Sequence, residues 1–367
     1  MTFIRENILK IIILIAVIIV FSIILSSCST SSPKTSVEKY EVMEQQLKDK
    51  AISFTSNNKR FLPKEINESS KLNMRTLVNN EMIKQYYANE DKNIACSGYV
   101  LITKKGENSY KYIPFLKCGK YYETKTLTDY IKENDEVVAA NDGLYQYGDE
   151  YVYRGENPKN FLQIGDKVFR IISINADGQL RVISSKKYDS TIWDDRYNST
   201  IGKSYGITNY EKSRIKDYLN KVYETDIEYF TSDLKSVIVP HDICVSPISS
   251  NNTDFSGVAE CALVSENQNL GLLQANEYFR ASVDSGCRTM NSPECENYNY
   301  MSSVNAYSMV TQTPAAENSY QVIGISSGVS RYINASSRFN IYLTFYIDAN
   351  TLYQSGEGTS ISPYLIR

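Results

Sequence analysis

The segment Asn160-Phe-Leu-Gln-Ile-Gly-Asp-Lys-Val-Phe-Arg-Ile-Ile-Ser-Ile-Asn-Ala-Asp-Gly-Gln-Leu-Arg-Val-Ile-Ser184 decides the fold class of the larger part of this chain. Two runs rich in β-branched residues are joined through Asn175-Ala-Asp-Gly178, where Gly178 can supply a positive φ, so the segment predicts a β-hairpin. Trp193 follows in Thr-Ile-Trp-Asp-Asp, and then a helix around Ser213–Asn220 with Ile215, Tyr218, Leu219 and Val222 on one face. Thr208-x-x-Glu211 is placed to cap that helix. Leu270–Tyr278 is read as a strand turning helical, and the chain closes with apolar runs at Gln321–Ser326 and Asn340–Ile347 and with Gly356-Glu-Gly-Thr-x-x-x-Pro363-Tyr-Leu-Ile. Helices and strands mixed in this way predict an α+β domain over 160–367.

Working back from there, 130–159 is polar, with Asn141-Asp142-Gly143 and Gly155-Glu-Asn-Pro158, and reads as a linker. Before it, Val37, Tyr40, Met43, Leu47, Ala51 and Phe54 recur at spacings of three and four behind a Thr35-x-x-Glu38 capping box, which predicts an amphipathic helix ending near Asn57-Asn58. A second, shorter helix is predicted around Ser70–Asn79. Tyr99–Thr103 and Tyr110–Phe115, separated by Lys-Lys-Gly-Glu-Asn-Ser, predict a hairpin bracketed by Cys96 and Cys118. The first small domain is thus 37–129, a helical stalk with a small β layer.

The N-terminus carries Arg5 and Lys10, an apolar run from Ile11 to Leu25 interrupted only by Ser22, and Leu25-Ser26-Ser27-Cys28 followed by a Ser-rich tether over 28–36. A positive flank, a short apolar core and small residues before a cut site are the parts of a secretory signal. The 15 residues of the run would span about 22 Å as a helix, short of a ~30 Å hydrocarbon core. Leu25–Cys28 resembles the lipobox of bacterial lipoproteins, which implies removal of 1–27 and lipidation of Cys28; an uncleaved signal anchor is the other reading. Either way the protein is expected outside the cytoplasm, on the outer face of the cell membrane.

The other six cysteines fall into three local couples, Cys96 with Cys118, Cys244 with Cys261, and Cys287 with Cys295. In an exported chain they read as disulfides, each worth about 3 kcal/mol in the chain-entropy model. A zinc site from His241-x-x-Cys244 with Cys261 and Cys287 is the competing reading, though no second close pair follows. The net charge of −3, with Lys and Arg scattered, disfavours nucleic acid. Tyrosine is abundant, 30 residues against one Trp and 12 Phe, which suits recognition surfaces but equally fills half-buried strand positions.

Chemistry-bearing motifs are sparse. His241 is the single histidine, placed in a predicted loop, so a histidine-based catalytic triad would rest on it alone. No EF-hand, P-loop, Gly-x-Gly-x-x-Gly or Cys-x-x-Cys pattern occurs, and no cofactor or metal is expected. Trp193-Asp194-Asp195 is the candidate ligand site with most local support, an aromatic platform beside two acids suited to a sugar or calcium; a lone Trp is more often core. Tyr307 is the further candidate contact.

Two resemblances organise these readings. The apolar segment, the continuing helix and a hairpin flanked by Cys96-x-Gly98-Tyr99-Val100 and Leu116-Lys117-Cys118 resemble pilin-like proteins of Gram-positive bacteria, although the Gly-Phe-Thr-Leu-x-Glu processing site of type IV pilins is replaced by the lipobox. From Gly155 to Arg367, the order of aromatic-Arg-Ile, Trp, a Ser-initiated helix ending in Leu-Asn, Gly-Leu-Leu before an acid and Tyr, and a terminal Gly-x-Gly-Thr-x-x-x-Pro-Tyr resembles a domain family of unknown function in surface proteins of gut Gram-positive bacteria. That family is similar to surface modules with a C-type-lectin-like α+β fold. This chain departs from it at Tyr307-Ser-Met-Val-Thr311 and Tyr342-Leu343. The resemblance implies a non-enzymatic binding or adhesion module for a glycan, host protein or envelope component; a pilin-like subunit or scaffold and an exported enzyme are the alternatives.

Overall fold

The computed structural model describes residues 36–304 and 309–367, a mixed α+β protein of two units that divide between Thr124 and Lys125. In the first unit, α1 (Ser36–Asn57) turns Tyr40, Leu47, Ala51 and Phe54 inward, the face predicted from their spacing. That face packs on Leu72, Val100, Ile102 and Leu116 of a four-stranded antiparallel sheet, β1 (Ser69–Asn73), β2 (Ser97–Gly106), β3 (Ser109–Cys118) and β4 (Tyr122–Glu123), in that order. Glu44, buried on the same helix face, accepts hydrogen bonds from the hydroxyls of Thr124 and Tyr122, so the carboxylate is not left unpaired. The predicted helix at 70–79 is instead strand β1 followed by the short α2 (Met74–Asn79). Register explains the difference: Leu72 lies opposite Val100 and joins the core as a strand residue.

The second unit begins with α3 (Leu127–Asn134), β5 (Gly143–Tyr147) and β6 (Glu150–Arg154). The stretch read as a linker, 130–159, is therefore part of the fold. Its polar cluster is a corner: Asp142 accepts from the backbone N–H groups of Glu156 and Asn157, while Leu144, Val152 and Tyr153 are buried. Next come β7 (Phe161–Ile164), β8 (Lys167–Ile174), β9 (Leu180–Ser184) and β10 (Asp189–Ile192). Helices α4 (Arg214–Thr225) and α5 (Ser232–Val237) precede β11 (Ile238–Val239), β12 (His241–Cys244) and β13 (Val264–Gln268). Then follow α6 (Ala275–Ala281), α7 (Tyr300–Val304) and β14 (Met309–Pro314). The chain ends in β15 (Gln321–Ser326), β16 (Val329–Asn334), β17 (Arg338–Ile341), β18 (Thr344–Ile347), β19 (Tyr353–Ser355) and β20 (Tyr364–Ile366).

These strands form a nine-stranded sheet along β11-β18-β9-β8-β7-β20-β19, with β6 also on β8 and β5 on β6, a five-stranded sheet β10-β17-β14-β15-β16, and a separate pair β12-β13. The predicted hairpin is β8–β9, at the middle of the larger sheet. Gly178 has φ 79°, and Asn175 closes the turn by accepting the Gln179 N–H at 2.8 Å. Phe169, Ile171, Ile172 and Ile174 are all buried, as a central strand covered on both faces requires. Ser213, not Thr208, caps α4: its hydroxyl accepts the Lys216 N–H. The run 340–347 is divided between β17 and β18, which belong to different sheets, and 270–273 carries no strand.

Candidate functional site

Three disulfides join Cys96 to Cys118, Cys244 to Cys261 and Cys287 to Cys295, so those thiolates form no zinc site with His241. Three bridges fit an oxidising, extracytoplasmic compartment. Among the described residues no helix is long and apolar enough to cross a membrane, and no three His, Cys, Asp or Glu side chains converge to hold a metal ion.

Of the candidate site read from Trp193, Asp194 and Asp195, the first two are buried, which is the core reading of the lone Trp and corrects the platform reading. Trp193 is 1% exposed, packed edge-on against Tyr210 in the main core, so its ring offers no platform. Asp194 is 0% exposed and accepts from the Arg196 guanidinium and from the backbone N–H groups of Arg196, Ile207 and Arg214, which organises the loop ahead of α4. Asp195 pairs with Arg214 at the surface. Cys28 and Tyr307 lie outside the described residues. His241 heads strand β12 and is not in a loop; its ring lies tilted by 30° against Tyr346 with ring centres 3.8 Å apart. Burial, with Arg181 nearby, holds its pKa below the ordinary range, so the ring is neutral at neutral pH.

What the structure does bring together is a pair of adjoining cavities between β6, α6 and the loop closed by Cys244–Cys261. One, of about 220 Å³, is lined by Asp242, Gln274, Asn276, Glu277 and Tyr346, among others. The other, of about 370 Å³, is lined by Tyr147, Arg154, Phe255, Phe279 and Cys287, among others, and the two share Glu150, Ser256 and Arg280. The larger lies at the low end of the ~300–1,000 Å³ of ligand pockets.

Local structure fixes each wall. Glu277 Oε2 accepts the Gln274 N–H at 2.8 Å, closing the first turn of α6, while its Oε1 receives Arg181 Nε at 2.9 Å. Arg181 is 1% exposed; burial opposes its charge, but Glu277, Tyr346 and Tyr210 together outweigh that and its pKa is raised. Glu260, next to Cys261, reaches the same helix: its carboxyl accepts the N–H groups of Ala275 and Asn276 at 3.0 Å and the Thr313 hydroxyl. Burial outweighs those donors and pushes its pKa up to about 7. Gly257 lets the loop approach α6, because a Cβ there would stand 2.3 Å from Asn276 Nδ2. At the junction of the cavities Arg280 holds Glu150 through both guanidinium Nη atoms, the shorter bond 2.7 Å.

Sequence reasoning missed this groove because Tyr147, Glu150 and Arg154 lay in the supposed linker. Glu277 was visible as the acid ahead of Tyr278 after Gly271-Leu272-Leu273, but nothing local disclosed that its partner was Arg181. Comparison with protein-family models, curated proteins and solved structures finds no match for this chain.

Proposed function

We propose that this chain is an extracytoplasmic surface protein, lipid-anchored through Cys28, whose second unit is a non-enzymatic binding module that receives its ligand in the groove between β6 and α6. A pilin-like role for the first unit, as a stalk, is supported by the packing of α1 on a small antiparallel sheet whose hairpin Cys96–Cys118 closes. A C-type-lectin-like assignment for the second is supported by its mixed sheets and by the ordered motifs from Gly155 onward.

The observation that carries the binding reading is the double cavity itself. It has rigid walls, held by the Cys244–Cys261 and Cys287–Cys295 bridges and by Glu260, and it combines aromatic surface with a few directed polar groups. Several of its polar side chains are engaged as supports: Glu277 with Arg181, Arg280 with Glu150, and His241 tilted against the Tyr346 ring.

The test is to apply the full chain, in detergent micelles, to glycan and matrix-protein arrays and to recover the captured ligand. Retention of a ligand in chemically unchanged form, weakened about tenfold or more by Tyr147→Ala, is expected, since aromatic side chains at recognition sites carry binding energy on this scale. Silence on all arrays, or turnover abolished by one substitution in a folded protein, would contradict it. Fatty-acid labelling of the wild-type chain and its absence in Cys28→Ser tests the anchor.

A further inference from the structure

The larger cavity carries a charge that the smaller one does not. Its ionisable lining is Arg154, Arg280 and Glu150, one positive charge in excess. Arg154 donates from Nη1 to the Tyr147 hydroxyl at 2.7 Å and from Nη2 to the Ser282 carbonyl, while its Nε is buried with no hydrogen-bond partner. Arg280 lies 5.1 Å from the centre of the Tyr147 ring, and Tyr147 as a residue is 45% exposed. Phe255 and Phe279, their ring centres 4.5 Å apart, complete an apolar wall. Two guanidinium groups against one carboxylate, with an unused buried donor, match a single incoming carboxylate.

The smaller cavity has the opposite character. Beyond the shared Glu150 and Arg280 it adds the carboxylate of Asp242, Glu277 being spent on Arg181 and the Gln274 N–H, and Asn276 Oδ1, on a residue 4% exposed, has no hydrogen-bond partner. Such a surface is rich in acceptors and asks for donors. A sugar edge presents hydroxyl donors, whereas a peptide backbone would set as many carbonyl oxygens as N–H groups against these acceptors. The exposed Tyr147 face suits stacking on a pyranose ring.

Resting on the groove as the binding site, we propose that its ligand is an acidic glycan: the carboxylate of a uronic-acid unit is received by Arg154 and Arg280 in the larger cavity, and hydroxyls of the adjoining unit are received by Asn276 and Asp242 in the smaller one.

The experiment measures binding of the full chain in micelles to an oligogalacturonate, to its methyl ester and to a neutral oligosaccharide of equal length, at low and high salt. The acid form should bind at least about tenfold more tightly than the ester, and the preference should shrink with salt. Arg154→Gln should lose that preference in a protein that circular dichroism shows to be folded at the assay temperature. Because the ester alters the ligand and not the protein, the comparison stands even if a variant misfolds. Equal affinity for acid and ester, or an acid preference that survives Arg154→Gln, overturns the proposal. If a neutral glycan or a peptide C-terminus binds instead and Tyr147→Ala abolishes it, the acidic-glycan assignment fails while the groove stands; if no ligand responds to Tyr147→Ala, both fail.

Discussion

Glu260→Gln isolates the pH dependence of the groove's support. In the wild type, burial lifts the Glu260 pKa from the ordinary 4.5 to about 7 although two backbone N–H groups and Thr313 donate to it, and the Glu277 carboxylate pushes in the same direction. A pKa raised on folding means that the native state holds its proton more tightly than the unfolded chain. The resulting stability is fully present below about pH 4.5 and is lost as pH rises through about 7. The span corresponds to about 3 kcal/mol at most, at 1.36 kcal/mol per pKa unit. Gln keeps the shape and cannot ionise. Urea unfolding followed by tryptophan fluorescence reads the second unit selectively, because Trp193 is the single tryptophan of the chain. The stability of wild type relative to Glu260→Gln should fall by up to about 3 kcal/mol between pH 4.5 and pH 8, other titrations cancelling in the difference. A difference that is flat across this range, or that grows with pH, would refute the reasoning.

Trp193→Ala should cost about 3–5 kcal/mol as a core truncation, measured by urea unfolding with circular dichroism, and leave ligand affinity of the folded fraction unchanged. Arg181→Met strands Glu277 without its cation and should cost about 3–5 kcal/mol, whereas the double change with Glu277→Gln should recover part of that loss. Removing the Cys287–Cys295 bridge with paired serines should lower stability by about 2–3 kcal/mol and weaken groove binding, because Cys287 lines the larger cavity.

The parts of the fold legible in the sequence are those specified by neighbours along the chain. The β8–β9 hairpin follows from Asn175 and Gly178, α1 from its apolar spacing, and the cysteine couples from their proximity. The terminal Gly-x-Gly motif also has a local logic: Gly356 has φ 98°, and a Cβ there would stand 1.9 Å from the Pro363 carbonyl oxygen. The groove is different in kind. Its walls come from β6, the 245–263 loop and α6, so the pairings Glu150–Arg280, Arg181–Glu277 and Glu260 with α6 span about 15 to 130 residues of sequence and leave no periodic or spacing signal. Polarity misled twice for one reason. Asp142 and Asp194 look like linker and ligand residues, and both spend their oxygens on backbone N–H groups at chain corners.

Amide hydrogen exchange on the full chain, with and without a saturating ligand captured on the arrays, tests the location of the site most directly. Binding in the groove predicts slowed exchange in 147–154, 255–257 and 274–282 and no change around Trp193 or in the first unit. Protection centred on 193–196, or confined to 36–124, would contradict it.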